Sequence, residues 1–154
     1  MKSFYIAHNF HTRKSIRKWQ LRLESKYNFN LANPFYNNPK RDGLMQMIDG
    51  FKESSKEQKD FLSRYYKEAS GKIVNDDLTM IRKSDGLVAI VNDTRIGTPM
   101  EIFFAGSILR IPVYIITHKH QEHPWIQKFA TKIFTSRRAF EKFVEKEFGL
   151  RHGL

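Results

Sequence analysis

The stretch RIGTPMEIFFAGSILR, residues 95–110, carries one charged side chain between its two terminal arginines, and that side chain is Glu101. A carboxylate in such a setting can serve either of two ends. Fixed and ionised, it can attack a carbon that bears a departing group, or stabilise an oxocarbenium-like centre. Alternatively, Thr98-Pro99-Met100-Glu101 reads as a helix start, with Thr98 as N-cap, Pro99 in the first helical position and Glu101 closing a capping box. Local sequence taken alone favours capping. Burial argues against it: Met100, Ile102, Phe103, Phe104, Ala105, Ile108 and Leu109 make a helix apolar all round, which is expected to be covered.

Other side chains offer weaker chemistry. Asp77 lies early in a helical stretch, one turn before Ile81, where it could point into a strand-end crevice or simply complement the helix dipole. Asp76 beside it fits the dipole role equally well. Asp85, ahead of Gly86, reads as a turn residue. His118, His120 and His123 in HKHQEH follow a strand end, but metal binding needs three or four converging ligands with outer support, so the segment reads as polar loop. No metal site and no cofactor is expected. There is no glycine-rich phosphate fingerprint, P-loop or serine nucleophile elbow.

Positioning these groups requires a scaffold, and the periodicity supplies one. SFYIA (3–7), FNLA (29–32), LVAIV (87–91), IPVYIIT (111–117) and KIFT (132–135) read as strands, most of them continuous apolar runs of the kind buried on both faces. Between them, Ile16, Trp19, Leu23 and Tyr27 recur at helical spacing. Residues 52–69 are charged and helical in pattern, and Val74, Leu78 and Ile81 form another helical face with Asn75 as its expected N-cap. NPFYNNPKRDG (33–43) reads as loop. HPWIQKFA suggests a short helix, and Phe140, Phe143, Val144 and Phe148 mark a last one after Thr135 or Ser136. Strands alternating with helices over 154 residues predict one doubly wound α/β domain, flavodoxin-like or Rossmann-like, with a parallel sheet of about five strands. Ligands in that architecture sit at the carboxyl ends of the strands, where the Thr98 helix begins.

The formal charge of +11 suits a phosphorylated small molecule or nucleic acid as partner. The basic first helix and SRRAFEKF (136–143) could contact phosphates, although neither matches a DNA-reading motif, so nucleic acid is the less favoured of the two. The absence of cysteine accords with a reducing cytoplasm. No run is long enough to span a membrane, and the opening residues turn basic too soon for a signal peptide, so a cytoplasmic location without membrane contact is expected.

Several segments together form a pattern. FYIAHNF, NDDLTMIRKSDGLVAIV and GTPMEIFFAGSILRIPV resemble, in order and spacing, the nucleoside 2-deoxyribosyltransferase family, which includes nucleoside-monophosphate N-glycosidases. They correspond to its opening strand with a tyrosine and a small residue, its Asn-Asp-Leu helix, and its Gly-Thr-x-x-Glu-x-x-x-Ala signature. The resemblance implies that Glu101 is the nucleophile on C1′ of a deoxyribose, that Tyr5 hydrogen-bonds and orients it, and that Asp77 contacts the base. It further implies that Gly97 and Thr98 line the sugar pocket, with Ala7, His8, Asn9 and Phe10 beside it. On this basis the helix field would hold Glu101 ionised.

The implied reaction cleaves the N-glycosidic bond of a 2′-deoxynucleoside and transfers the sugar to a free base. The alternatives are hydrolysis of a nucleoside 5′-monophosphate and non-catalytic nucleotide binding. Related enzymes complete their pockets with a neighbour's residues, which implies a homo-oligomer, and the 118–125 loop with Trp125 is the expected contribution. The chain departs from the family pattern in two places. Arg95 stands where an aspartate is usual, and it could bind a carbonyl-rich base or a phosphate. His8-Asn9 replaces small residues or proline.

Overall fold

In the computed structural model, which describes residues 1–93 and 95–152, five strands form one all-parallel sheet. They are β1 (Lys2–Ala7), β2 (Phe29–Ala32), β3 (Gly86–Ile90), β4 (Val113–Ile116) and β5 (Lys132–Phe134), in the order β2-β1-β3-β4-β5. Among the described residues, five α-helices lie between the strands and a sixth follows the last: α1 (Arg13–Lys26), α2 (Arg41–Glu53), α3 (Lys56–Arg82), α4 (Gly97–Phe103), α5 (Pro124–Phe129) and α6 (Arg137–Phe148). Side chains alternate across a strand, and the two faces are filled accordingly. Phe4, Ile6, Val88 and Ile90 meet Ile16, Trp19 and Leu23 of α1 and Phe140 and Val144 of α6. Tyr5, Ala7, Leu87 and Ala89 face the other way, toward Ile81 of α3, Ile102 of α4 and Ile126 of α5. This is the doubly wound α/β architecture that the alternation of elements predicts. The winding reverses between β1 and β3, the place at the carboxyl ends of the strands where ligands bind in this architecture.

Three local readings are corrected. The stretch expected over 52–69 divides: Lys52 and Glu53 end α2, while from Lys56 onward it runs unbroken through 74–81 as a single helix, α3, whose capping box joins Ser55 and Gln58. Asn75 therefore lies inside a helix and caps nothing. The loop expected over 33–43 ends early, because Arg41 already opens α2. The apolar α4 segment is not covered all round: Met100 is 66% exposed and Ile108 59%. Beyond α4 the chain widens into a π-helical turn, Phe104–Leu109. Arg110 ends that turn in the left-handed conformation at φ 55°, ahead of Pro112.

Gly86 marks a close approach. A Cβ at this position would overlap the Phe4 ring and lie 2.8 Å from the Pro112 carbonyl oxygen. Phe4 has little room to yield, since its ring packs on Phe29 at 5.1 Å and Tyr114 at 5.6 Å. Overpacking of this kind costs about 1–3 kcal/mol. Gly86→Ala is therefore expected to lower the unfolding free energy read from a urea titration by that amount; a value equal to wild type would show that the strands part freely here.

Candidate active site

Tyr5 lies on β1 opposite Leu87 of β3, with its side chain fully buried on the α3/α4 face. Its hydroxyl donates a hydrogen bond to Glu101 Oε1 at 2.6 Å. That contact answers the question the sequence left open. Helix α4 begins at Gly97 with no side-chain cap, so Glu101 is its fifth residue and stands past the first turn. The capping box does not form, and Thr98 is a buried residue of the first turn.

A second acid stands close enough to act on the first. Asp77 on α3 is 9% exposed and binds Arg41, the first residue of α2, in a two-pronged ion pair. Arg41 Nη1 donates to Oδ1 at 2.8 Å and Nη2 to Oδ2 at 2.9 Å. Arg41 is itself only 4% exposed, and its guanidinium lies 5.1 Å from the centre of the Phe35 ring. Parallel double hydrogen bonding fixes both side chains. Sequence reasoning missed Arg41 because it sits in PKRDG, a segment whose composition signals an exposed basic loop. Only the packing of α2 along α3 reveals its partner.

These neighbours set the charge of Glu101. As a residue it is half-buried, while its carboxyl lies deep enough for desolvation to dominate. Burial first, and then the nearby Asp77 carboxylate, push its pKa up to about 8; the Tyr5 hydrogen bond and the Arg41 charge pull the other way. The expectation of an ionised Glu101 held by the helix field is thus corrected for the resting protein. The field acts over the first turn, and Glu101 stands beyond it in a medium that disfavours charge. Burial also raises Asp77, against the Arg41 contacts. It raises the Tyr5 phenol too, with help from the two acids.

The remaining expected pocket residues divide into two groups. Ala7 is buried at the end of β1, beside the cluster. His8 is also buried, but both ring nitrogens are engaged internally, Nδ1 with the Asn9 carbonyl at 3.0 Å and Nε2 with Asn33 Oδ1 at 3.3 Å. Burial lowers its pKa. Asn9 binds Asp93 through its amide. The Phe10 ring lies under the Arg13 guanidinium at 3.7 Å. Gly97 is exposed. Arg95, also exposed, meets Asp93 at 3.5 Å. The structure thus gathers Tyr5, Asp77 and Glu101, and leaves His8 and Arg95 in contacts of their own.

The other candidates have structural posts. Asp76 accepts from Asn38 at 2.8 Å, and Asp85 holds the Ser3 amide at 2.9 Å. His118 contacts Asn92, while His123 caps α5. Among the described residues no three His, Asp or Glu side chains gather in metal-binding geometry. An apolar cavity of about 230 Å³ lies between α4 and α5, walled by Pro99, Ile102, Trp125 and Phe129 among others; Glu101 does not line it.

No protein-family model matches the chain, and no curated protein matches it significantly.

The raised pKa has a consequence for stability. An acid that holds its proton more tightly when folded stabilises the protein fully below its unfolded pKa. That contribution is lost as pH rises to the folded value. For Glu101 the window runs from about 4.5, its ordinary value, to about 8. The amide of Glu101→Gln does not titrate. Wild type is therefore expected to lose melting temperature relative to Glu101→Gln between pH 5 and pH 8. Parallel curves over that interval would mean that Glu101 titrates normally.

Proposed function

We propose that the chain cleaves the N-glycosidic bond of a 2′-deoxynucleoside and transfers the deoxyribosyl group to a second base, with Glu101 as the nucleophile. The observation that carries this reading is the 2.6 Å hydrogen bond from Tyr5 to Glu101, on strand β1 where the winding of the sheet reverses. Tyr5 engages Oε1, and among the described residues no hydrogen bond engages the other carboxyl oxygen, which makes the attack. In the reaction, ionised Glu101 forms a bond from oxygen to C1′. The C1′–N bond breaks, and the base leaves with the electron pair and takes up a proton from solvent, which an incoming base or water returns in the second step. An incoming base, or water in the competing hydrolysis, then attacks C1′ and releases the carboxylate. The Arg41–Asp77 pair holds the electrostatic balance: Arg41 favours the ionised nucleophile, while Asp77 opposes it.

Glu101 rests uncharged beside a buried ion pair, out of water, and that environment supports the same reading. A carboxylate generated in low dielectric is a stronger nucleophile than one in water. The reaction needs Glu101 without its proton, so kcat/KM is expected to rise with pH along a single ionisation near 8, the value of the free protein. Glu101→Gln should reduce base release roughly a thousandfold or more while the fold persists. Chromatography of deoxynucleosides incubated with and without an acceptor base reads both outcomes. Near-normal release by folded Glu101→Gln would remove Glu101 from the chemistry.

A second reading, hydrolysis of a deoxynucleoside 5′-monophosphate, is favoured by Arg95. Its side chain is 56% exposed, and its ion pair with half-exposed Asp93 is long at 3.5 Å. Such a pair contributes little, and Arg95 can exchange it for a phosphate. Arg95→Ala is then expected to slow the monophosphate at least tenfold, the loss of a charge-assisted bond worth about 1.5–3 kcal/mol, and to leave the free nucleoside unchanged. Equal slowing of both substrates would rule out a phosphate contact.

A homo-oligomer fits this reading. Ile96, Met100, Phe103, Ile108 and Trp125 are large apolar side chains exposed on and around α4. A second copy seated there would cover them beside the site.

A further inference from the structure

The excess positive charge is concentrated in one part of the chain. Residues 41–85 hold nine cations and nine acids, whereas residues 1–40 hold eight cations and one acid. Six of those cations and the lone acid lie on α1. The acid, Glu24, is turned inward, where it accepts the Leu31 amide at 2.7 Å and the Gln20 side chain at 3.0 Å. The outer face of α1 is therefore uniformly cationic. Lys14, Lys18, Arg22 and Lys26 are all exposed and recur every four residues, about 6 Å apart along the axis. Among the described residues only Arg22 of this stripe meets a carboxylate, Glu141 of α6 at 2.6 Å.

Neighbouring elements widen the stripe. Arg137 at the start of α6 reaches Ser15 at 3.4 Å and lies 5.7 Å from the Trp19 ring. Burial, and then the like charge of Arg22, lower its pKa, which marks a patch whose cations repel one another. At the amino end of α1, aromatic rings join the cations. Arg17 lies 5.0 Å from the ring of Tyr36, which is 40% exposed, and Arg13 covers Phe10. A regular row of cations that leads to an exposed aromatic ring is the surface that tracks a phosphate backbone and stacks an unpaired base.

We propose that the outer face of α1, with Arg137 and Tyr36, binds single-stranded nucleic acid, the cationic stripe taking the backbone and Tyr36 stacking a base. This surface is independent of the glycosidic chemistry, and its binding does not require Glu101.

Fluorescence anisotropy with a labelled mixed-sequence 20-nucleotide DNA strand tests the proposal, using the Glu101→Gln protein so that no turnover intervenes. Four phosphate contacts predict a log–log salt slope of about −3. Lys14→Glu/Lys18→Glu should weaken binding at least tenfold at low salt and flatten the slope. Lys56→Glu/Lys59→Glu on α3, which changes net charge equally, should leave affinity within about twofold. Tyr36→Ala should weaken binding at an unchanged slope. No binding at 50 mM salt, equal losses in the α1 and α3 variants, or duplex DNA bound as tightly as the single strand would each overturn the proposal. Because the readout is binding by a protein lacking the nucleophile, failure of the glycosidic chemistry leaves the result unaffected.

Discussion

A carboxyl group enclosed by protein must either give up its charge or be compensated for keeping it, and Glu101 is held between those outcomes. Burial and the Asp77 carboxylate favour the proton; the Tyr5 hydroxyl and the Arg41 guanidinium favour the charge. The groups come from four different elements, β1, α2, α3 and α4, so the balance exists only when all four are docked. Arg41 shows the dependence most directly. Its two terminal nitrogens saturate Asp77, while its buried Nε meets no hydrogen-bond partner among the described residues. A buried pair of this kind contributes little net stability, yet loss of one member strands the other at a cost of about 3–5 kcal/mol.

The sheet makes this arrangement possible. Strand order 2-1-3-4-5 puts β1 and β3 side by side where the winding reverses, and strand alternation sends Tyr5 and Ala7 toward α3 and α4. His8, one residue on, is drawn into contacts with Asn9 and Asn33 instead. The same alternation puts the cationic α1 on the opposite face of the sheet from Glu101, so a basic exterior and a buried, uncharged acid coexist in one small chain. The π-helical turn after α4, with Gly106 against Phe129, carries the chain from the Glu101 helix back to β4.

Much of this was legible in the sequence. Apolar runs located all five strands, and helical spacing located α1 and α6, because burial on two faces or one leaves a direct trace in residue type. Glu101 stood out for the same reason, as a charge where none was expected. Arg41 did not, since an arginine among lysine, proline and glycine looks like solvated loop until α2 is laid along α3. The extent of α3 was hidden as well. Its middle, from Ala69 through Val74, lacks a clear apolar stripe, and Asn75 offered a plausible but unused cap. The charge state of Glu101 is not legible locally, because helix-end electrostatics can be read from neighbouring residues whereas desolvation depends on everything packed around the group.

The central claim, that packing around Glu101 holds its carboxyl protonated in the resting protein, is most directly tested by following its side-chain carboxyl carbon by NMR in protein carrying 13C-labelled glutamate. The Glu101→Gln spectrum identifies the resonance. The account predicts a titration near pH 8 that moves downward in Asp77→Asn, where the opposing carboxylate is gone. A titration in the ordinary glutamate range, near 4.3, would contradict it.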